Sequence, residues 1–168
     1  MGNKKQRRVP VAALPAEVLT RRVPRKLHGV VPGPDDPTVA NRKPAWGLSL
    51  IDDDNSLPWG GWPEDRGGLI KIMAFLQEME KLTWAEIWAQ LTGGNSRRGP
   101  KHKSIPVEHL IKSAQDRLTT LDLDDHPELF RFRLGSLERL WGVFVGGHHI
   151  FYPLWWDAAH QICPSRER

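Results

Sequence analysis

The sequence lacks the features that mark membrane-spanning, disulfide-bonded and zinc-binding chains. No stretch approaches the roughly 18 uncharged apolar residues that a membrane-spanning helix needs. The single cysteine, Cys163, cannot close an internal disulfide, and neither an HExxH motif nor paired cysteines are present. The first residues, MGNKKQRR, lead into proline-punctuated sequence rather than an apolar signal core. We therefore expect a cytoplasmic protein without metal or cofactor.

Length and charge predict one domain with a separate basic arm. The chain has 168 residues, 39% of them hydrophobic, which suits a single core. Residues 1–44 contain ten Lys and Arg, three acidic residues and seven prolines, so they carry +7, whereas the whole chain carries +4. This composition disfavours helices and buried strands. We predict a flexible basic arm over residues 1–44 and a folded domain over residues 45–168, whose net charge, the difference, is −3.

The beginning of the domain predicts a strand and a helix. Residues 46–51 alternate apolar and small side chains, which is typical of a strand. Asp65 suits an N-cap, and the apolar residues after it have helical spacing, which predicts a helix with one buried face. Those residues are Leu69, Ile72, Met73, Leu76 and Met79.

One or two further helices are expected next. Residues 83–86, TWAE, match a capping box and predict a short helix to about Leu91. Residues 95–104 contain Gly, Pro and basic residues, which is typical of a loop. Pro106 suits the first turn of a third helix with a regular apolar stripe. That stripe is Leu110, Ile111, Ala114, Leu118 and Leu121.

The last third of the chain predicts three antiparallel strands in a meander. Residues 129–134 alternate apolar side chains with arginines, which indicates a half-buried strand with a cationic outer face. Strands over residues 139–145 and 149–156 follow, joined across two glycines that favour a tight hairpin. Pro153 predicts an edge position or a bulge for the last strand. The predicted fold class is α+β: an N-terminal strand, two to three helices and a three-stranded antiparallel meander.

Arginines of the meander are candidates for phosphate contacts. Arg131 and Arg133 share one face of their strand, with tips roughly 7 Å apart, close to the spacing of successive phosphates in single-stranded RNA. Arg139 opens the next strand. Arginines on a solvent-facing strand also keep a sheet soluble, and their spacing alone leaves that alternative open.

The run LFRFRLGSLERLWGVFVGGHHIFYPLWWDAAHQICP, residues 129–164, resembles the C-terminal strands of the RelE/ParE toxin superfamily. In that superfamily a basic alternating strand, a turn and a strand opened by arginine precede the catalytic C-terminal segment. The resemblance covers residues 46–164 in element order. It implies a RelE-like fold, an endoribonuclease toxin that cleaves mRNA, in some members on the ribosome, and an antitoxin protein as partner. By position, it places catalytic roles on Arg131, Arg133 and Arg139.

Such cleavage also needs a group that moves protons. A ribose 2′-hydroxyl must lose a proton as it attacks the adjacent phosphorus, and the leaving 5′-oxygen must gain one. His160 or His149 offers an imidazole that titrates near neutrality, and Asp157 lies near His160 in the C-terminal segment. By analogy, the product is a 2′,3′-cyclic phosphate, and the reaction needs no metal.

Further side chains are expected to bind RNA. Basic residues in the loop before the third helix would attract the phosphate backbone, and an exposed tryptophan would stack on a base. Core packing or contact with a partner is the alternative role of that tryptophan. The expected RNA-binding residues are Arg97, Arg98, Lys101, Lys103, His149 and Trp156.

A non-catalytic function is the alternative for the whole protein. The resemblance would place a tyrosine and a further arginine in the C-terminal segment, but neither has a counterpart, and the single tyrosine, Tyr152, lies earlier. A ParE-like or mobile-element protein that binds a protein or nucleic-acid target without cleaving it fits these departures.

Overall fold

The structure, a computed structural model, describes residues 36–93, 99–144 and 149–164. No helix in these ranges is long and apolar enough to cross a membrane. Two 3₁₀ helices cover Leu48–Leu50 and Val107–His109. The other elements are α1 (Pro37–Ala40), β1 (Ala45–Trp46), α2 (Arg66–Met79), α3 (Trp84–Trp88), β2 (Lys103–Pro106), α4 (Lys112–Thr120), β3 (Glu128–Arg133), β4 (Arg139–Phe144) and β5 (Ile150–Asp157).

The described strands form one mixed sheet in the order β1-β5-β4-β3-β2. Strand β1 is parallel to β5, and the other neighbours are antiparallel. The α+β class is confirmed, and β3, β4 and β5 follow one another as predicted. The meander is not the whole sheet, which has five described strands: β1, at the predicted N-terminal strand, pairs with β5 at one edge, and β2, which was not predicted, pairs with β3 at the other. The predicted hairpin glycines, residues 146–147, lie outside the described ranges.

Strand β2 occupies sequence that was predicted as a loop and a helix start. Ile105 pairs with Leu129 of β3, and both side chains are buried. Pro106 ends the strand at the sheet edge, where a proline need not break a ladder hydrogen bond. The third predicted helix, α4, therefore begins at Lys112 rather than at Pro106.

The first strand is shorter than predicted. Only Ala45 and Trp46 pair with β5, and a 3₁₀ helix follows within residues 46–51. Gly47 passes so close to Tyr152 that a Cβ there would overlap the tyrosine ring. After this contact the strand pairing ends in the 3₁₀ helix, and the side chains of Leu48 and Ile51 are exposed instead of joining the core.

Helix α2 confirms the predicted cap but buries a narrower face than predicted. The Asp65 carboxylate accepts a hydrogen bond from the backbone N–H of Gly68 at 2.8 Å. Ile72 and Met79 are buried, whereas the predicted core residues Leu69 and Met73 are 40% and 60% exposed. These exposed side chains line an apolar groove together with Trp46, Leu48, Ile51 and Trp62.

The capping box of α3 is confirmed. The Thr83 hydroxyl accepts a hydrogen bond from the N–H of Glu86, and the Glu86 carboxylate accepts one from the N–H of Thr83 at 2.7 Å. The helix ends at Trp88 rather than near Leu91.

The folded domain begins before residue 45, where the arm was predicted to end. Val39 of α1 is fully buried, and the carbonyl of Arg42 accepts a hydrogen bond from the N–H of Trp84 at 2.9 Å. Residues 36–44 are therefore part of the domain. The rest of the predicted arm, residues 1–35, lies outside the described ranges.

An apolar layer covers each face of the sheet. Side chains alternate between the two faces along each strand, so one face meets α2 and α3 and the other meets α4. The layer on the α2 side includes Phe130, Phe132, Leu140, Phe144, Phe151 and Trp156. The layer on the α4 side includes Leu129, Trp141, Val143, Trp155 and Ile162.

A bulge in β5 accommodates Pro153, as predicted, although the strand lies inside the sheet rather than at its edge. Trp141 pairs with Trp155 and Gly142 with Pro153, so Leu154 is the extra residue. Its carbonyl accepts hydrogen bonds from the N–H of Asp52 at 3.1 Å and from the Trp62 indole at 3.0 Å. The bulge therefore fixes the loop before α2 against the sheet.

His102 joins β2 to β3 through a buried, neutral imidazole. Its Nδ1 accepts a hydrogen bond from the N–H of Arg133 at 3.1 Å, so the proton lies on Nε2, which faces the Gln90 carboxamide oxygen at 3.2 Å. Burial, together with the charges of Lys101 and Arg131, lowers the pKa of His102 to about 3. This histidine is a structural group rather than a titrating one at neutral pH.

Acid is predicted to destabilise the fold through His102. In the unfolded chain this imidazole binds a proton near its ordinary pKa of 6.5, and in the folded protein only near 3. Unfolding therefore takes up a proton between these values, and the free energy of unfolding falls as the pH decreases from 6.5, by on the order of 5 kcal/mol in total. Urea unfolding of the wild type and of His102→Asn at several pH values checks this. The variant, which keeps an acceptor for Arg133, should show a clearly shallower decrease; equal slopes would contradict the assignment.

Candidate functional site

The strand register places three arginines on one face of the sheet. Arg133 lies directly opposite Arg139, and Arg131 lies opposite Trp141. Residues opposite each other on antiparallel strands point to the same face, so Arg131, Arg133 and Arg139 share the α4 side of the sheet. We call these three residues the arginine cluster. The alternation predicted for β3 is confirmed, since Phe130 and Phe132 lie in the opposite layer.

No carboxylate forms an ion pair with the arginine cluster in the described ranges, although buried Asp157 lies opposite Arg139 and its negative charge partly offsets those of Arg139 and Arg131. Within the described ranges, the arginine ion pairs are those of Arg117 with Asp52 and Asp54. Arg133 and Arg139 donate instead to backbone carbonyls of the turn between β3 and β4. These carbonyls carry no net charge, so they do not neutralise the guanidinium groups. These bonds run from Arg133 Nε to the Gly135 carbonyl at 3.1 Å, and from Arg139 to the carbonyls of Gly135, Ser136 and Glu138 at 2.9–3.2 Å.

Arg139 is the buried member of the cluster. It is only 4% exposed, and its Nε has no hydrogen-bond partner among the described residues. Burial, and then the charges of Arg131 and Arg133, lower the pKa of Arg139 to about 10. An unpaired buried donor beside two further cations is costly, and an anion bound here would supply both an acceptor and a counter-charge.

Arg131 connects the cluster to the C-terminal segment. Its guanidinium carbon lies 5.7 Å from the centre of the Trp141 ring, and its Nη1 lies 3.4 Å from Nε2 of His160. A guanidinium only donates, so this contact requires an unprotonated Nε2 on His160. The Nε of Arg131 is buried and, like that of Arg139, unpaired within the described ranges.

His160 is held beside the cluster as a neutral imidazole. Burial, followed by the charges of Arg139 and Arg131, lowers its pKa below the ordinary 6.5. Its backbone has φ = 60°, a left-handed conformation that is uncommon for residues other than glycine. Asp122, which is not part of the site, has the same φ, so this conformation shows only that the surrounding structure holds the His160 turn in place.

Asp157 holds this turn and is not free to react. It is fully buried, and its carboxylate accepts hydrogen bonds from the N–H groups of Gln161 at 2.8 Å and Ile162 at 3.0 Å. The Trp141 indole also points at it, at 3.4 Å. The catalytic role predicted for Asp157 is therefore corrected to a positioning role, because its oxygens are engaged in forming the turn that carries His160.

The predicted RNA-binding residues are scattered. Lys103 is exposed and lies opposite Arg131, while the ammonium of Lys101 lies 3.3 Å from the Gln90 carboxamide. His149 precedes β5, at the end far from Asp157 and the cluster, with its Nδ1 3.5 Å from Arg42. Trp156, predicted to stack on a base, is buried in the layer on the other face, so it cannot reach RNA at the cluster. Arg97 and Arg98 lie outside the described ranges.

Trp141 is the site residue that sequence reasoning missed. Its ring packs against the Arg131 guanidinium, and its indole N–H points at the Asp157 carboxylate. Trp141 therefore links the cluster to the turn that carries His160. The signal was present in the sequence: Trp141 is two residues after Arg139 on the same strand, and alternation places both on one face.

Comparison of the chain with family models, with curated proteins and with solved structures found no match. The chemistry of the site must therefore be inferred from its side chains. Cations without carboxylate partners suit an oxyanion such as phosphate, and guanidinium groups can bind two of its oxygens at once. A neutral imidazole next to such an anion can accept a proton from a bound hydroxyl.

Phosphate is predicted to stabilise the fold by binding at the arginine cluster. At about 100 times its Kd, a ligand of the folded state adds about 2.7 kcal/mol, or roughly 5–10 °C in Tm for a chain of this size. Thermal unfolding at constant ionic strength, with phosphate replacing chloride, measures this shift. The shift should be lost in Arg131→Gln and kept in Lys112→Gln, a change at an exposed lysine on α4. An equal shift in all three proteins would point to a general salt effect.

Proposed function

We propose that this protein is a metal-independent endoribonuclease of the toxin type, which cleaves mRNA at a phosphate held by the arginine cluster. The observation that carries the proposal is the convergence of three arginines on one face, without an ion-paired carboxylate in the described ranges, with Nε2 of His160 3.4 Å from Arg131. The resemblance of residues 129–164 to the RelE/ParE toxin superfamily supports the same conclusion and adds a RelE-like fold.

The bond changes define what each side chain must do. The 2′-oxygen forms a bond to the adjacent phosphorus, the bond from phosphorus to the 5′-oxygen breaks, and the products are a 2′,3′-cyclic phosphate and a 5′-hydroxyl. His160 accepts the proton of the 2′-hydroxyl at Nε2 once Arg131 has turned from the imidazole to the phosphate. The 5′-oxygen takes its proton from water, and the imidazolium returns its own proton to solvent.

Members of the cluster divide the work of stabilising the phosphorane. Arg131 and Arg133 are only partly buried, so their guanidinium groups can contact phosphate oxygens as negative charge develops. Arg139, in contrast, is buried. It donates hydrogen bonds to the carbonyls of Gly135 and Ser136 and so fixes the turn between β3 and β4. We assign Arg139 a positioning role and a share of the positive field.

The proposed cellular role follows from the resemblance and from charge. An mRNA-cleaving toxin, acting on free or ribosome-bound mRNA, needs an antitoxin partner that blocks its cationic face. Residues 1–44, with a charge of +7, would add sequence-independent attraction to RNA.

A non-catalytic binding protein is the second candidate. Its support is that Tyr152, the single tyrosine, packs beside Gly47 rather than at the cluster. No phenolic acid is therefore available to protonate the leaving oxygen. A ParE-like or mobile-element protein could use the same cationic face to bind its target without cleaving RNA.

His160→Gln is predicted to abolish cleavage while leaving RNA binding intact. Losing a general base typically costs 10²–10⁴-fold in rate, whereas the phosphate contacts of the arginines remain. Single-turnover cleavage of labelled mRNA, with and without ribosomes, and mapping of the new 5′ ends provide the measurement. Arg131→Gln should lose both cleavage and binding.

His109→Gln is the matched control, because His109 is an exposed histidine whose contact is Glu108 rather than the cluster. Wild-type binding without any cleavage, on free RNA and on ribosomes alike, would favour the second candidate. Unchanged cleavage in His160→Gln would remove His160 from the mechanism.

A further inference from the structure

Lys103 lies on the same face of the sheet as Arg131 and is its cross-strand neighbour. It lies at the start of β2, directly opposite Arg131 on β3, and therefore projects from the same face of the sheet. The next pair on that face is Ile105 with Leu129, and both are part of the apolar layer on the α4 side. This independently places Lys103 on the side of the arginine cluster.

The backbone at Lys103 is fixed although its side chain is exposed. The preceding residue, His102, is buried and accepts a hydrogen bond from the N–H of Arg133. This bond fixes the beginning of β2 against the end of β3. Lys103 thus stands at a defined distance from the cluster, in contrast to a lysine on a loop.

The Lys103 ammonium also has no carboxylate partner within the described part of the chain. Lys71, Lys81 and Lys112 each pair with a carboxylate there, to Glu138, Glu78 and Asp116 respectively. An exposed, unpaired ammonium beside an uncompensated guanidinium adds to the positive field on this face.

The spacing between strands separates Lys103 on β2 from Arg139, the buried arginine on β4. Neighbouring strands are about 4.8 Å apart, so the backbone of β2 lies roughly 10 Å from that of β4, which carries Arg139. The scissile phosphate, contacted by Arg131 and Arg133, lies over β3 and β4, whereas Lys103 projects from β2, on the far side of β3 from Arg139. The next phosphate of a nucleic-acid strand that crosses from β4 to β2 is within its reach.

We propose that Lys103 binds a second phosphate next to the scissile one, so that the substrate is a single RNA strand running across β4, β3 and β2. This inference rests on the proposed function, because it assumes that the arginine cluster holds a phosphate of RNA. It adds that a substrate needs at least two successive phosphates and that Lys103 positions the strand without taking part in the bond changes.

Two probes separate the second position from the first. Adenosine 3′-monophosphate carries one phosphate and fits the arginine cluster alone, whereas a 2′-O-methyl tetranucleotide carries successive phosphates and cannot be cleaved. Binding of both to the full chain is measured by calorimetry at several salt concentrations, beginning at about 50 mM. The proteins compared are the wild type, Lys103→Gln, Lys103→Arg and Lys112→Gln.

Lys103→Gln should weaken tetranucleotide binding about tenfold, as expected for loss of one charge-assisted contact, and leave the monophosphate affinity unchanged. The slope of log K against log salt for the tetranucleotide should fall by about 0.7, the value for one phosphate of a single strand. Lys103→Arg should restore most of the affinity, and Lys112→Gln should match the wild type.

The outcomes that overturn the proposal are distinct from those that overturn the phosphate pocket. Equal tetranucleotide binding by Lys103→Gln and wild type, or an equal loss of both probes, would show that Lys103 holds no second phosphate. If the wild type binds neither probe, the arginine cluster is not a phosphate site, and the proposed function falls with it.

Discussion

The pairing register of β3 with β4 decides which side chains meet on the sheet. Arg133 faces Arg139, and Arg131 faces Trp141, because the two strands pair without a shift over residues 130–133. A slip of one residue would turn one strand's set of side chains to the opposite face and separate the arginines. Aromatic packing opposes such a slip, since Phe130 and Phe132 already fill the layer on the other side. The cationic face is therefore specified by the same residues that build the core.

Keeping three guanidinium groups together without an ion-paired carboxylate costs stability, because burial and like charges both disfavour the charged forms. Natural cores avoid unpaired buried donors, and the Nε atoms of Arg131 and Arg139 are such donors within the described ranges. Elsewhere the protein pairs an arginine fully: Arg117 donates to Asp52 at 2.9 and 2.6 Å. Arg117 forms ion pairs and stabilises the fold. The cluster arginines form no ion pair in the described ranges, so their guanidinium groups are available to a ligand.

Local signals in the sequence predicted local structure well. The Asp65 cap, the capping box at Thr83 and the alternation in β3 each depend on residues within a few positions of one another. Strand β2 could not be predicted in this way, because its partner lies some 25 positions further along the chain and its basic, proline-containing sequence is typical of a loop. The bulge at Leu154 places both Leu154 and Trp155 in the layer on the α4 side, with Trp156 opposite, which strict alternation does not reveal. The role of Asp157 depends in part on the Trp141 indole, which lies on the neighbouring strand and meets Asp157 only in the fold.

The central claim is that the arginine cluster binds a phosphate, and the Nε–H signals of the arginines in a ¹⁵N NMR spectrum report on it directly. Adenosine 3′-monophosphate should shift the signals of Arg131 and Arg139, whose Nε atoms are unpaired in the structure. The Arg117 signal is an internal control, since its Nε already donates to Asp52 at 2.9 Å and should stay in place. Movement of the two cluster signals alone, saturating with ligand, is the predicted result. Signals of Arg131 and Arg139 that do not respond, or that move together with Arg117, would contradict the account.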